Sequence, residues 1–369
     1  MMGFVEGSVC NWRVSRRPKS RVCDRVHDED SRSTRRVKLV HWTDVHFFVP
    51  DGVKVLPERK ELLGLLNLYV MGREKEFNPE KLVSRLVDDV AALNPDVVVF
   101  SGDMSAMGTS VEFETALRVI KPMLAAFPSV LIAGNHDRYT QQGRDRMETY
   151  FGQWMAGGIA EGALWSNFET ADESWPGLFK LQNGLRIITL DQARPSVASN
   201  GAHSRGQISR LRSTLQREGP QNCIIVGHYP ILDPWLSSGR QPRNGSVPLY
   251  DRLGRSLKDV NELHAALLAH PPLAYLCGHH HAQSIVRSSQ GNSDRSLLQI
   301  CCGSSAYVGH KDKNWAGFYE IDLEPSSGGF EIADIHRHVW SNQTQRFLRQ
   351  TSSEADLHSV LTIAPETQG

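Results

Sequence analysis

Five short clusters of metal-ligating residue types punctuate the chain, and each directly follows an apolar run. They are Asp44-Val45-His46, Gly102-Asp103, Gly134-Asn135-His136-Asp137, Gly227-His228 and Gly278-His279-His280-His281. Carboxylate, carboxamide and imidazole donors without a thiolate suit borderline or hard divalent ions such as Mn, Fe or Zn. Asp44 and His46 lie two apart, as do His279 and His281. On extended backbone such pairs project to one face and grip one ion. Two ions held about 3.5–4 Å apart need a shared ligand, and Asp103 is the candidate bridge. The glycines before the ligands predict tight strand exits at which the backbone passes close to other groups.

A G-D or D-x-H match alone carries no information, and a lone G-H-x-H little. All five in this order, each at a strand end, resemble the calcineurin-like metallophosphoesterase superfamily over Val37 to about Val339. The D-x-H opening and the H-D of the third motif are most similar to class III cyclic nucleotide phosphodiesterases and their bacterial relatives. The resemblance implies two divalent ions, the first on Asp44, His46, Asp103 and His281, the second on Asp103, Asn135, His228 and His279. It further implies His136 as general acid, Asp137 as the carboxylate that orients it, and a metal-bridging hydroxide as nucleophile. Purple acid phosphatases carry a metal-binding Tyr three residues after the G-D aspartate, where this chain has Ala106, so no iron–tyrosinate site is implied.

The expected activity is therefore hydrolysis of phosphodiesters in small substrates such as cyclic nucleotides. The alternatives are a nuclease of the same superfamily and a non-catalytic scaffold that kept the fold; no ligand is missing, which speaks against the scaffold. Lys plus Arg and Asp plus Glu both total 41, for a formal charge of zero. That balance gives no broad footprint for nucleic acid.

The elements that must position these clusters alternate short apolar runs with helical patterns, the mark of layered α/β architecture. The expected fold is two packed mixed β-sheets flanked by helices, a four-layer αββα sandwich with the metal site at the C-terminal ends of the strands. Strands are predicted over Val37–Thr43, Val97–Ser101, Val130–Ala133, Leu185–Leu190, Leu273–Cys277, Leu297–Cys301, Gly317–Leu323 and Phe330–Val339. Val83, Leu86, Val87 and Val90 recur at helical spacing up to Asn94-Pro95; further helices are expected over Val111–Phe127, around Ile208–Leu215 and around Val260–Leu267. Asn183-Gly184 predicts a hairpin with a type I′ turn.

Residues 1–36 read as a disordered leader, 37–342 as the catalytic domain, and 343–369 as a polar tail with at most a short helix near Asp356–Leu361. The six cysteines show no C-x-x-C spacing and no secreted-type framework. With neither a span of about 18 apolar residues nor a signal-type apolar region, the expected location is the cytoplasm. Residues 62–71, rich in Leu, read as an inserted helix; the alternative is a greasy lid making weak membrane or lipid contact. Around the motifs, Arg138 is a candidate phosphate contact, and Tyr139, Tyr229 and Trp235 are candidate base-stacking residues. His310 also flanks the site. His41 lies in the opposite strand phase from the first motif and is expected to be structural, and His280 to be a spacer.

Overall fold

The computed structural model describes residues 35–49, 77–156, 164–166, 175–195, 200–232, 257–281, 283–289, 296–308, 316–350 and 361–363. The leader up to residue 34, the segment 62–71, Trp235 and His310 lie outside the described residues.

In chain order the elements are β1 (Val37–Trp42), α1 (Pro79–Leu93), β2 (Val97–Phe100), α2 (Ser110–Ala126), β3 (Ser129–Leu131), α3 (Gln141–Ala156), β4 (Leu164–Ser166), β5 (Gly177–Lys180) and β6 (Arg186–Thr189). They continue with α4 (Gln207–Glu218), β7 (Cys223–Val226), α5 (Val260–Ala269), β8 (Ala274–Cys277), β9 (Gln283–Ser289), β10 (Ser296–Cys302), β11 (Gly317–Ser326), β12 (Gly329–Ser341), β13 (Arg346–Arg349) and β14 (Leu361–Ile363). One sheet runs β13-β12-β11-β1-β2-β3, the other β14-β9-β10-β8-β7-β6-β5-β4. β1, β2 and β3 are parallel, as are β6, β7 and β8, so their C-terminal ends open together.

The central strands read as unbroken apolar runs because both of their faces are covered. In β1 and β2, Val37, Leu39, Val97 and Val99 pack between the sheets against Ile224, Leu276 and Ile300. The alternate residues Val40, Trp42, Val98 and Phe100 pack outward against Leu86 and Val90 of α1 and Phe113 and Ile120 of α2. On the far side, Ile225, Tyr275 and Cys277 meet Leu211, Leu215 and Leu263 of α4 and α5. The order is thus helix, sheet, sheet, helix, as expected. Each buried Val, Leu or Ile contributes about 1.5–3 kcal/mol relative to exposure.

Local signals set the helix ends. α1 starts with Pro79 and stops at Asn94, which takes the left-handed conformation at φ 48° before Pro95. α2 opens with a capping box in which Thr109 and Glu112 exchange side-chain and backbone bonds.

Two expectations are corrected. The hairpin at Asn183-Gly184 exists, but its turn is closed by Gly184 N donating to Leu181 O at 3.1 Å, and only Gly184 of the two has positive φ. Gln182 and Asn183 are the central residues, followed by a glycine in the left-handed region, so the loop is one residue longer than a type I′ turn. The domain also does not stop at 342. β13 pairs antiparallel with β12, Phe347 is buried in the outer core, and Asp89 of α1 accepts from Phe347 N at 2.8 Å. Leu361 lies on β14, parallel to β9; residues 356–360, the rest of the segment for which at most a short helix was expected, lie outside the described residues.

Candidate metal centre

All five motifs converge where the parallel strands end. The first does not do so on extended backbone. After Trp42 the chain leaves the sheet, and Asp44, Val45 and His46 hang by their N–H groups on the carbonyls of Gly102 and Asp103 at 2.9–3.1 Å. Asp44 and His46 have φ of 52° and 49°, and His279 and His281 have 71° and 53°. Asp44 and His46 therefore come together on left-handed rather than extended backbone, whereas His279 and His281 fall in two different clusters, against the expectation that each such pair grips one ion. Asp103, at φ 62°, is a fifth such residue; among the described residues only Asn94 and Gln345 are other non-glycine cases. Strain of this kind costs of order 1–3 kcal/mol per residue and clusters where function requires it.

Close backbone approach makes this possible. A Cβ on Gly134 would lie 2.1 Å from Asp103 Oδ1, and one on Gly278 would lie 2.1 Å from Asp44 Oδ2.

Among the described residues, three clusters have their donor atoms within 4.8 Å of one another: Asp44, His46 and His281; His46, Asp103 and His136; and Asp103, His228 and His279. Asp103 and His46 each belong to two of them, and of these only Asp103 has two oxygens with which to bridge. His46 Nε2 and His281 Nε2 face each other at 3.0 Å, and His281 Nε2 is 3.3 Å from Asp44 Oδ1. Asn135 Oδ1 lies 3.0 Å from His228 Nε2 and 2.9 Å from His279 Nδ1. Asp44, His46, Asp103, Asn135 and His228 are all buried.

The proton accounting tests whether cations fit. His228 Nδ1 lies 2.8 Å from Ser101 O, which only accepts, so this nitrogen carries a hydrogen. Neutral His228 then turns the lone pair of Nε2 toward two oxygens, Asn135 Oδ1 at 3.0 Å and Asp103 Oδ2 at 3.4 Å. Lone pairs so opposed require a positive charge between them. Without a metal a proton can take that place: burial opposes it, yet Asp103 and the Ser101 carbonyl lift the imidazole to about 9. Asp103 in turn, despite burial that would raise it, is held well below the carboxylate range by His228, His136 and His46. His279, buried beside His228 and His280, is held well below its ordinary value and stays a neutral donor. The set fits two divalent ions, with Ser101 O setting the tautomer as second-layer carbonyls do at metal sites.

His136 sits partly exposed at the edge of this array, its ring 4.8 Å from that of His46. Its Nδ1 lies 2.7 Å from Ala106 O and its backbone N donates to Asp103 Oδ1 at 2.8 Å. Asp137 does not orient it, against expectation. The Asp137 carboxylate is fully buried and accepts from Met104 N, Ser105 N, Ser105 Oγ and Gly134 N at 2.8–3.1 Å. It ties the second motif to the third, while the Ala106 carbonyl holds the imidazole. Burial and then Asp103 push its carboxyl up to about 6, against the backbone donors that pull it down.

The neighbouring candidates are spent on the protein itself. Arg138 is buried and its guanidinium pairs with Asp191, which Arg194 also holds at 2.9 Å. Tyr229 is buried with its ring 4.4 Å from that of His279, leaving no face for a base. His41 bonds Ser101 Oγ at 2.9 Å and is structural. Residues without a sequence signal also border the site. Phe77 meets the rings of His46 and His281 at 4.8 and 5.4 Å, and Tyr307 meets that of His281 at 6.0 Å. Together they form an apolar wall beside the first cluster.

Residues 37–283 match the family of calcineurin-like phosphoesterases, and the chain belongs to that family of metal-dependent hydrolases. No curated protein matches. The fold is similar to that of a purple acid phosphatase from yellow lupin (Lupinus luteus) seeds, at 13% identity and TM-score 0.45, covering 86% of this chain and 53% of that one. This chain thus spans about half the length of the lupin enzyme. It is similar also to a dimetal phosphatase from Danio rerio (14% identity, TM-score 0.44, covering 85% and 98%). A third is the calcineurin-like phosphoesterase YfkN from Bacillus subtilis (13% identity, TM-score 0.38, covering 85% and 93%).

Proposed function

We propose that the protein hydrolyses small phosphodiesters, cyclic nucleotides first among them, at a two-ion centre. Asp44, His46, Asp103 and His281 hold one ion of Mn, Fe or Zn, and Asp103, Asn135, His228 and His279 the other. The observation that carries the reading is the convergence of His228 Nε2, Asn135 Oδ1 and Asp103 Oδ2 within 3.0–3.4 Å, a donor set suited to a cation. Two divalent ions, when bound, supply an acidified water as nucleophile and neutralise charge on the phosphoryl oxygens.

The remaining steps belong to side chains of the chain. His136 gives its Nδ1 hydrogen to the Ala106 carbonyl, so Nε2 is the nitrogen that would meet the substrate. As imidazolium it donates from Nε2 to the departing alkoxide, which general acid catalysis makes worth about 10²–10⁴ in rate. Phe77 and Tyr307, their rings 5.3 Å apart, line the His46 and His281 side of the site with apolar surface. The D-x-H opening and the His-Asp of the third motif support a cyclic-nucleotide diesterase over a monoesterase.

The test compares hydrolysis of cyclic AMP, bis(p-nitrophenyl) phosphate and p-nitrophenyl phosphate with Mn supplied and with chelator. Chelator-sensitive cleavage favouring the diesters is expected. A preference for the monoester would overturn the diester reading while leaving the centre intact.

A further inference from the structure

We propose that Gln192 is a positioning residue for the His228 loop, and that the His203–Asp259 pair fixes the direction of its amide. The inference rests on the reading of His228 as a metal ligand.

Gln192 follows β6 at the site end of the second sheet. Its Oε1 accepts from His228 N at 2.8 Å and from Tyr229 N at 3.0 Å; backbone N–H groups only donate, so this atom is the oxygen. Nε2 therefore donates, to Tyr275 Oη at 3.0 Å and to His203 Nε2 at 3.2 Å. A ring nitrogen facing an amide NH₂ must accept, so His203 carries its hydrogen on Nδ1 and gives it to Asp259 Oδ1 at 2.9 Å. Asp259 Oδ2 accepts from His203 N at 3.0 Å, and Tyr275 Oη donates to Tyr229 O at 2.7 Å. Every proton has one place.

Three further features point the same way. Gln192, Tyr275 and the His203 side chain are at most 1% exposed, so each bond matters in full. Asp259 stands at the N-cap of α5 yet makes no capping bond, its carboxylate being given to His203 instead. Gly227 has no room for a side chain because its Cβ would lie 2.1 Å from Tyr275 Oη and 2.7 Å from Gln192 Oε1. His203 resembles an acid–base dyad with Asp259, but both its nitrogens are engaged and it is shut away from substrate. Through Tyr229, whose ring lies on His279, the same amide places two of the motif histidines.

The experiment measures Mn binding by equilibrium dialysis and metal-free stability by urea unfolding for wild type, Gln192→Met, Gln192→Glu, His203→Leu and Gln299→Met. Gln299 clamps the next turn, accepting from Ile231 N and Leu232 N at 2.8 Å, and serves as the comparison for plain loop loosening. Gln192→Met is expected to weaken Mn binding about 10–100-fold, as loss of an outer-layer partner does. Gln192→Glu, which keeps an acceptor for both N–H groups, is expected to restore most of it. His203→Leu should weaken binding by a smaller factor, and it carries the test alone if Gln192→Met does not fold. Unchanged Mn affinity in Gln192→Met or, failing that, in His203→Leu would overturn the proposal, as would an equal loss in Gln299→Met. A wild type that binds no Mn would instead remove the reading on which the inference rests.

Discussion

Nδ1 of His228 lies 2.8 Å from the carbonyl oxygen of Ser101, a contact between the two sheets that fixes which nitrogen faces the centre. With that tautomer set, Nε2 presents a lone pair to the space shared with Asn135 and Asp103. His228→Ala should weaken Mn binding by more than the roughly 10–100-fold typical of an outer-layer loss, and abolish diester hydrolysis. Dialysis against graded Mn reads the affinity. Binding as tight as wild type would exclude His228 from the ligand set.

His136 is bonded to a carbonyl through Nδ1, which makes Nε2 the nitrogen proposed to donate the proton. His136→Ala is expected to keep its metal and lose about 10²–10⁴ in kcat on alkoxide leaving groups. With p-nitrophenolate, which departs without a proton, the loss should be much smaller. A uniform loss across both leaving groups would point to phosphate binding rather than proton donation.

Asp137 joins the second and third motifs through four donors, two of them backbone N–H groups on Oδ2. Asp137→Asn turns an NH₂ toward one such pair, and each buried donor left unpaired costs about 1–3 kcal/mol. Urea unfolding should show that loss in the metal-free protein. Wild-type stability with a loss confined to poor leaving groups would restore the orienting role that the sequence suggested.

His41 bears on acid stability. Burial holds its imidazole down at about 3, against 6.5 for the free group. Below pH 6.5 the unfolded chain therefore takes up a proton that the folded chain refuses, so its contribution is fully present above 6.5 and is lost progressively as pH falls toward 3. Between pH 7.5 and 5 wild type should lose about 2 kcal/mol more than His41→Asn, from about 1.4 kcal/mol per unit. Parallel pH profiles for the two proteins would contradict this.

The motifs were legible because ligand types followed apolar runs, and apolar runs buried on both faces become central strands. Their geometry was not: the left-handed φ of Asp44, His46, Asp103, His279 and His281 depends on contacts such as Asp44 N to Gly102 O, made across long stretches of chain. β13 escaped notice because Arg346, Leu348 and Arg349 face outward and only Phe347 is buried. α3 is polar, with Met147 and Phe151 its fully buried apolar residues, and leaves a faint periodic signal. Gln192 and His203 carry no motif at all, since buried amide networks are defined by partners rather than by spacing. Asp137 misled because adjacency in sequence to His136 did not become adjacency of side chains.

Metal stoichiometry tests the central claim most directly. Protein loaded with Mn and dialysed exhaustively should retain about two ions per chain, and His228→Ala should fall below that. No retained metal in wild type, under Mn, Fe or Zn alike, would contradict the two-ion account and the ligand set together.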